Sequence, residues 1–207
     1  TRLVFRLYDP SGGSVKVGGV DTREVDLQRL RSRIGLVTQD VQLFRGSLRD
    51  NLTFFDPSVP DEVIVGVLEE LGLGPWLRGQ ERGLDTELDS GGRNLSAGEA
   101  QLIAFARVFL KDPGLVILDE PSSRLDPVTE RRLEVALERL LHGRTAIVIA
   151  HRLETVERVD EIMVMERGRV VEAGPRAVLA ADEGSRYARL RRAALALDLN
   201  VAGRAGA

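Results

Sequence analysis

Two adjacent carboxylates at the end of an apolar run are the residues best placed for chemistry. Asp119 and Glu120 directly follow Leu115–Leu118, which has the length and composition of a buried strand. A carboxylate there can hold Mg²⁺ directly or through water, because magnesium combines few carboxylates with phosphate oxygens. Glu120 can then polarise an attacking water. A turn cap leading into Pro121–Ser123 would explain one acid, but a second acid beside a buried run is costly for that purpose alone.

Two other polar residues come at or just beyond the end of predicted strands. Gln39 ends the run that starts at Ile34, and His151 follows Ala146–Ala150. Ligands gather at the carboxyl ends of parallel strands, so these residues belong to the same candidate site. His151 could donate a hydrogen bond to a terminal phosphate or hold a water, and the Gln39 amide could contact a metal-bound water. Taken alone, each also fits a structural role, as a hydrogen-bonded histidine and an exposed strand end.

The segment Asn94–Glu99 has the spacing of a helix start. Ser96 and Glu99 lie three residues apart before a predicted helix, as in a capping box. The N–H groups and positive dipole end of such a helix form an anion site, although a plain helix cap would look the same. Asp126 and Pro127 are typical N-cap and N1 residues, so local capping accounts for Asp126 without a further role.

The elements that carry these residues alternate between strand and helix, which predicts an α/β fold with a parallel central sheet. Thr1–Tyr8 is expected to be the tail of a helix, Pro175–Leu197 to be helical and Asn200–Ala207 to be a loose tail. An apolar stripe of Val63, Val67, Leu68 and Leu71 is expected on one helix. The predicted strands are Ser14–Val17, Ile34–Gln39, Leu115–Asp119, Thr145–Ala150, Glu161–Met165 and Arg169–Glu172, and the predicted central helices are Pro60–Leu71, Gly74–Arg78, Ala97–Leu110 and Pro127–Leu141.

The composition excludes several classes of protein. The 207 residues are 43% hydrophobic and carry a net charge of −3, so they can bury a core but give no basic field for nucleic acid. The absence of cysteine excludes disulfides and thiolate metal sites. No apolar run reaches the length of a membrane span, so a membrane partner would have to come from another segment.

In combination, these motifs resemble the ATPase domain of an ABC transporter, and most of all the exporter type. The resemblance extends from Thr1 to about Leu190. Six segments carry it in the family's order: Val37–Asp40 is similar to the Q-loop, Phe44–Leu52 to the exporter segment that faces the membrane domain, Asn94–Glu99 to the signature motif, Leu115–Glu120 to the Walker B strand, Ser122–Asp126 to the D-loop, and Ala150–Leu153 to the switch-histidine segment.

The resemblance implies a P-loop NTPase-like fold in which ATP and Mg²⁺ lie between two ATP-binding domains. Its implied catalytic residues are Glu120, His151 and Gln39, and its implied Mg²⁺ ligands are Asp119 and Gln39. Across the dimer interface, the partner's nucleotide would meet Ser96, Ala97, Gly98, Glu99 and Asp126.

The signature segment departs from the family's Leu-Ser-Gly-Gly-Gln at two positions. Ala97 replaces the third residue and Glu99 replaces the fifth. The Ala97 methyl narrows the approach of the backbone to a phosphate. A carboxylate at Glu99 would repel a phosphate unless it turns back onto its own helix cap.

A phosphate-binding loop requires G-x-x-x-x-G-K-[ST], and neither lysine of this chain, Lys16 or Lys111, has that context. The loop and the first strands are therefore expected just upstream of Thr1, in which case residues 1–207 alone would bind ATP poorly. The resemblance divides the chain into an ATPase core at 1–39 and 93–175, a helical subdomain at 40–92, and C-terminal helices and tail at 176–207.

The expected protein is an ATP-hydrolysing motor at the cytoplasmic face of a membrane. Its expected partners are a second ATP-binding domain and a transmembrane domain, with no nucleic acid. Two alternatives stay open: a degenerate module that supplies only its signature motif, and a soluble ABC ATPase of DNA repair or translation.

Overall fold

The computed structural model describes residues 1–38, 41–119, 127–150 and 156–205. The chain forms two compact units, Thr1–Ile149 and Ala150–Ala207. The first contains a parallel sheet and six helices in its described residues, and the second contains a β-hairpin followed by two helices. The three-part division at residues 39, 92 and 175 stays a prediction.

The first unit is built on a three-stranded parallel sheet. Strands β3 (Ile34–Val37), β6 (Leu115–Asp119) and β7 (Thr145–Ile149) lie in the order β3-β6-β7. Both pairings are parallel. The sheet and its helices confirm the predicted α/β class. The strand expected at Thr145–Ala150 ends one residue earlier.

Strands β3 and β6 are apolar on both faces because both faces are covered. On one face, Ile34 and Ile117 pack with Leu30. On the other, Val116 and Leu118 belong to the main core together with residues of the helices. This two-sided burial explains why the strands are nearly continuous apolar runs in the sequence.

Four of the six described helices of the first unit follow the predicted order, whereas those at Leu27–Ser32 and Leu48–Thr53 were not predicted. The helix at Gly74–Arg78 has the predicted bounds, and the helix at Ala97–Lys111 extends one residue beyond its predicted end. The helices are α1 (Leu27–Ser32), α2 (Leu48–Thr53), α3 (Asp61–Glu70), α4 (Gly74–Arg78), α5 (Ala97–Lys111) and α6 (Pro127–Leu141). Two short antiparallel ladders pair β1 (Lys16–Val17) with β2 (Val20–Asp21), and β4 (Gly46–Ser47) with β5 (Glu87–Leu88).

The apolar stripe on α3 differs from the predicted one. Ile64 and Leu68 are fully buried and Leu71 nearly so, whereas Val63 is 49% exposed. Ile64, Leu68 and Leu71 follow the i, i+4, i+7 spacing of one helical face. Val63 is one residue out of that register, and the prediction was wrong because Val63 and Ile64 are equally apolar in the sequence.

Residues 1–7 form a single helical turn that ends with a C-terminal capping motif. The Leu7 N–H donates to the Arg2 carbonyl at 2.9 Å and the Arg6 N–H to the Leu3 carbonyl at 3.1 Å. Arg6 has φ 49°. These two hydrogen bonds around a left-handed residue are the Schellman motif that ends helices. The predicted helix tail is thus present as one turn.

The second unit contains strands β8 (Glu161–Glu166) and β9 (Arg169–Pro175) and helices α7 (Arg176–Ala181) and α8 (Arg186–Ala205). The strands pair antiparallel through a turn at Arg167 and Gly168, whose φ angles are 49° and 76°. Two positive φ angles are typical of the type I′ hairpin turn.

Helix α8 corrects the expectation of a loose tail at Asn200–Ala207, because it continues to Ala205. Residues 186–205 contain no proline and are rich in alanine, arginine and leucine, which are good helix formers. The Glu172 carboxylate accepts hydrogen bonds at 2.8 Å from the N–H groups of Arg186 and Tyr187 and so caps the start of α8. Among the described helices, none combines the length and apolar character needed to cross a bilayer.

Candidate functional site

The parallel register brings the carboxyl ends of three strands to one edge of the sheet. Val37 pairs with Leu118, and Asp119 pairs with Ile149. Adjacent strands lie about 5 Å apart, so the ends of β3 and β7 flank the end of β6 at that spacing. The sequence prediction of one shared edge is therefore confirmed for the strands themselves.

Asp119 is the predicted site residue that the structure places at this edge. It ends β6 and is half-buried. Four other predicted site residues, Gln39, Glu120, Asp126 and His151, lie outside the described residues. Gln39 comes two residues after β3, Glu120 one residue after β6 and His151 two residues after β7.

The chemistry of Asp119 fits a magnesium ion that also binds phosphate. Its carboxylate offers hard oxygen ligands, which Mg²⁺ prefers. Within the described parts of the chain, no three His, Asp or Glu side chains are grouped to hold a metal. Mg²⁺ typically keeps water and substrate phosphates beside one or two carboxylates, so a single described carboxylate is compatible with such a site.

The start of α5 has the capping box that the sequence predicts. The Ser96 hydroxyl accepts a hydrogen bond from the Glu99 N–H at 3.2 Å, and the Glu99 carboxylate accepts one from the Ser96 N–H at 2.8 Å. The other two N–H groups of this first turn belong to Ala97 and Gly98. Glu99 is turned back onto the cap, so its carboxylate is hydrogen-bonded at the N-terminal end of α5.

Gly98 is buried where α5 approaches α6. A Cβ at Gly98 would lie 2.3 Å from Thr129 Cγ2 and 3.1 Å from Thr129 Oγ1. Thr129 would have to move to admit any side chain. Gly98 therefore has a packing role that is independent of any ligand, and sequence reasoning missed this role because Thr129 lies 31 residues away in the chain.

A cavity of about 150 Å³ lies beside this helix start. Ser96, Gly98, Glu99, Trp76 and Arg132 are among its lining residues. The cavity thus adjoins the capped start of α5 as well as an aromatic and a basic residue from other elements.

The loop before α5 is fixed by side-chain hydrogen bonds. The Asn94 amide donates to the Glu87 carbonyl at 3.0 Å, and its carbonyl oxygen accepts from the Asp89 N–H at 3.1 Å. A Cβ at Gly92 would lie 2.6 Å from Leu43 Cδ1, so the loop also packs closely against the segment after β3. These contacts connect the loop before α5 to β5 and to the segment after β3.

Arg107 connects α5 to two residues distant in sequence, a role that the sequence analysis did not predict. Its guanidinium donates to the Asn51 carbonyl at 2.7 Å, the Gln42 carbonyl at 2.7 Å and Asn51 Oδ1 at 3.1 Å. Burial lowers the pKa of Arg107 to about 10, so the group stays charged at neutral pH. The available signal was an arginine in the otherwise apolar stretch Ile103–Leu110.

Three phenylalanines form an exposed aromatic patch next to Arg107. Phe44, Phe54 and Phe55 are 44%, 57% and 58% exposed. The ring centroid of Phe44 lies 6.2 Å from that of Phe54 and 6.3 Å from that of Phe55. Arg107 lies 4.8 Å from the centroid of Phe54 and 5.9 Å from that of Phe44, within cation–π range. Phe44 belongs to the segment predicted to face a membrane domain.

Residues 1–123 match a family model described as ABC transporter. The chain is also similar to a solved structure titled as a bacterial Atm1-family ABC exporter with ATP bound, with a TM-score of 0.81 and 32% identity. That similarity covers 91% of this chain and 33% of the exporter chain.

Two curated relatives are similar over nearly the whole chain. An ATP-dependent lipid A-core flippase of Thiobacillus denitrificans is 44% identical over 91% of this chain, and the match covers 32% of the flippase. A multidrug efflux ATP-binding/permease protein of Mycobacterium bovis is 41% identical over 91% of this chain and is covered over 16% of its length. The chain thus spans a third or less of the length of these relatives.

Proposed function

The chain belongs to the ABC transporter family, and from that premise we propose that it is the ATP-hydrolysing domain of an exporter. The family binds ATP. In this proposal, hydrolysis of ATP to ADP and phosphate drives export of a substrate across a membrane. The observation that most supports the proposal is the parallel register of the sheet, which puts Asp119 at the edge where the strands end. In the sequence, Gln39, Glu120 and His151 each come shortly after one of these strands.

The proposed chemistry is in-line attack of water on the γ-phosphate. Asp119 and Gln39 would hold Mg²⁺, which supplies neutralising charge to the phosphates. Glu120 would position the attacking water and accept its proton, and His151 would contact the γ-phosphate. Each role suits the residue's chemistry: hard oxygen ligands for the metal, a carboxylate base for water and an imidazole donor for phosphate.

The proposed second site is the start of α5, which would contact the nucleotide held by a partner ATP-binding domain. Ser96, Ala97, Gly98 and Glu99 lie there, and Asp126 follows Glu120 in the D-loop-like segment. The N–H groups of Ala97 and Gly98 support this role, because they lie in the first turn of α5, at the positive end of the helix dipole.

The proposed membrane partner is a transmembrane domain that docks on the aromatic patch of Phe44, Phe54 and Phe55. Three exposed rings close together form an apolar surface that suits burial against another protein. In this proposal, the domain lies at the cytoplasmic face of a cell membrane.

The proposal is tested by ATP hydrolysis of the native membrane protein with excess Mg²⁺ and with EDTA. We expect hydrolysis that needs Mg²⁺. Residues 1–207 carry no G-x-x-x-x-G-K-[ST] motif, so we expect them to hydrolyse little ATP when isolated. If the native protein bound no ATP at the edge of its own sheet, the result would instead support the alternative of a degenerate module. Such a module would supply only the start of α5 to an active partner.

A further inference from the structure

We infer that Arg107 is a positioning residue that makes residues 42–55 follow the movement of α5. These residues, here called the bridge segment, carry the whole aromatic patch. The inference rests on the proposed function in one respect, because nucleotide binding at the start of α5 is the event that would move the helix.

Arg107 forms hydrogen bonds with the bridge segment at two separate residues, Gln42 and Asn51. Nε and Nη2 donate to the backbone carbonyl and the side-chain Oδ1 of Asn51, and Nη1 donates to the Gln42 carbonyl. The planar guanidinium fixes the directions of these donors relative to one another. Because the donor is charged, these hydrogen bonds are stronger than those between neutral groups.

Asn51 connects Arg107 to other residues of the bridge segment through its own hydrogen bonds. It is fully buried. Its amide donates to the carbonyls of Phe44 and Ser47 at 2.9 and 3.0 Å, and its Oδ1 also accepts from the Phe44 N–H at 2.8 Å. Phe44 is therefore held through both of its backbone polar groups by the residue that Arg107 binds.

Helix α5 connects Arg107 to the segment Asn94–Glu99, which resembles the signature motif. Arg107 follows Ser96 by 11 residues on the same continuous helix, a rise of about 16 Å. A helix that is largely buried along its length moves as a rigid body, so a shift at its start displaces the guanidinium. Residues 42–55 then either move with α5 or lose three charge-assisted hydrogen bonds.

The bridge segment and the loop before α5 are also in contact through Leu43, whose carbonyl accepts from the Gly91 N–H at 2.9 Å. That contact joins the segment to the loop rather than to the helix. Leu43, Leu48 and Leu52 also pack in one core with residues of α5, so apolar packing connects the segment to the helix as well. The hydrogen bonds of Arg107 are the directional part of this connection, and we assign to them the larger share of the response.

The test is hydrogen exchange, followed by mass spectrometry, on the native membrane protein with and without MgATP. Arg107→Met keeps length and removes all donors, and Arg107→Lys keeps the charge but not the fork. Arg78→Met is the matched control, because Arg78 is 64% exposed and forms a surface ion pair with Glu69 at 2.6 Å.

In the wild type and in Arg78→Met, we expect MgATP to change exchange in peptides from both 95–107 and 42–55. In Arg107→Met, the response of 95–107 should persist while that of 42–55 falls about fivefold or more. Arg107→Lys should give an intermediate response, and it decides the question alone if the methionine variant does not fold.

Two results would overturn the inference. One is a response of residues 42–55 in the Arg107 variants equal to that of the wild type. The other is a wild-type protein in which MgATP changes the 95–107 peptide but not the bridge segment. Failure of the proposed function looks different, because wild-type protein would then show no MgATP response in either peptide, and the inferred trigger would be refuted with it.

Discussion

The Ser96 backbone N–H donates a 2.8 Å hydrogen bond to the Glu99 carboxylate, which folds the carboxylate back over the N-terminal end of α5. A carboxylate at this end of the helix opposes a second anion there. The Ser96 hydroxyl completes the pair by accepting from the Glu99 N–H. The same residue that departs from the family's glutamine is thus used as a helix cap.

Glu99→Gln should keep the helix cap and increase the affinity for MgATP. Glutamine can replace glutamate in a capping box, so the free energy of unfolding should be unchanged within about 0.5 kcal/mol. Removal of one negative charge near the phosphates should tighten MgATP binding about threefold to tenfold at low salt. Nucleotide titration of the native protein measures this effect.

Glu99→Ala is the control for the cap, and it should cost about 1 kcal/mol of stability because a capping hydrogen bond is lost. If Glu99→Gln left MgATP affinity unchanged at both low and high salt, Glu99 would have no electrostatic influence on bound nucleotide.

Gly98→Ala should destabilise the contact between α5 and α6. The new methyl would lie 2.3 Å from Thr129 Cγ2, and such overpacking costs about 1–3 kcal/mol. Thermal unfolding of the native protein, followed at several denaturant concentrations, measures the loss. Thr129→Ala removes the clashing atom, so the double variant should recover most of the stability.

The double variant also separates packing from ligand binding at Gly98. If Gly98 contacts a nucleotide as proposed, ATP turnover should stay low in the double variant after stability is restored. Stability that does not recover in the double variant would contradict the proposed clash with Thr129.

Asp119→Asn should raise the Mg²⁺ concentration needed for ATP hydrolysis by about tenfold or more, because a neutral amide is a weaker ligand for Mg²⁺ than a carboxylate. The measurement is turnover of the native protein at fixed ATP over a Mg²⁺ titration. Asp112→Asn is a suitable control, since Asp112 lies at the far end of α5 and pairs with Arg144. An unchanged Mg²⁺ dependence in Asp119→Asn would remove this residue from the metal site.

Elements with strong local signals could be predicted from the sequence. Helix α5 begins at the residue after Ser96 because the capping box specifies its start, and β3 and β6 were visible as buried apolar runs. The alternation of strands and helices also predicted the parallel sheet that places Asp119 at its edge.

Features that depend on contacts distant in sequence could not be predicted. The roles of Gly98 and Arg107 depend on Thr129 and Asn51, which lie 31 and 56 residues away. The choice of Ile64 over Val63 for the buried face of α3 is likewise a tertiary effect, because both are apolar and β-branched. The roles of Gln39, Glu120, Asp126 and His151 stay predictions, which depend on several motifs in order rather than on any one residue.

The central claim is tested most directly by comparing Glu120→Gln with the wild type in the native protein. Both ATP turnover and equilibrium MgATP binding are measured on the same preparation. Glutamine keeps the size of the side chain but cannot accept a proton from water, so turnover should fall about 100-fold or more while binding stays intact. Equal turnover in the two proteins would contradict the account of Glu120 and of the strand edge as the hydrolytic site.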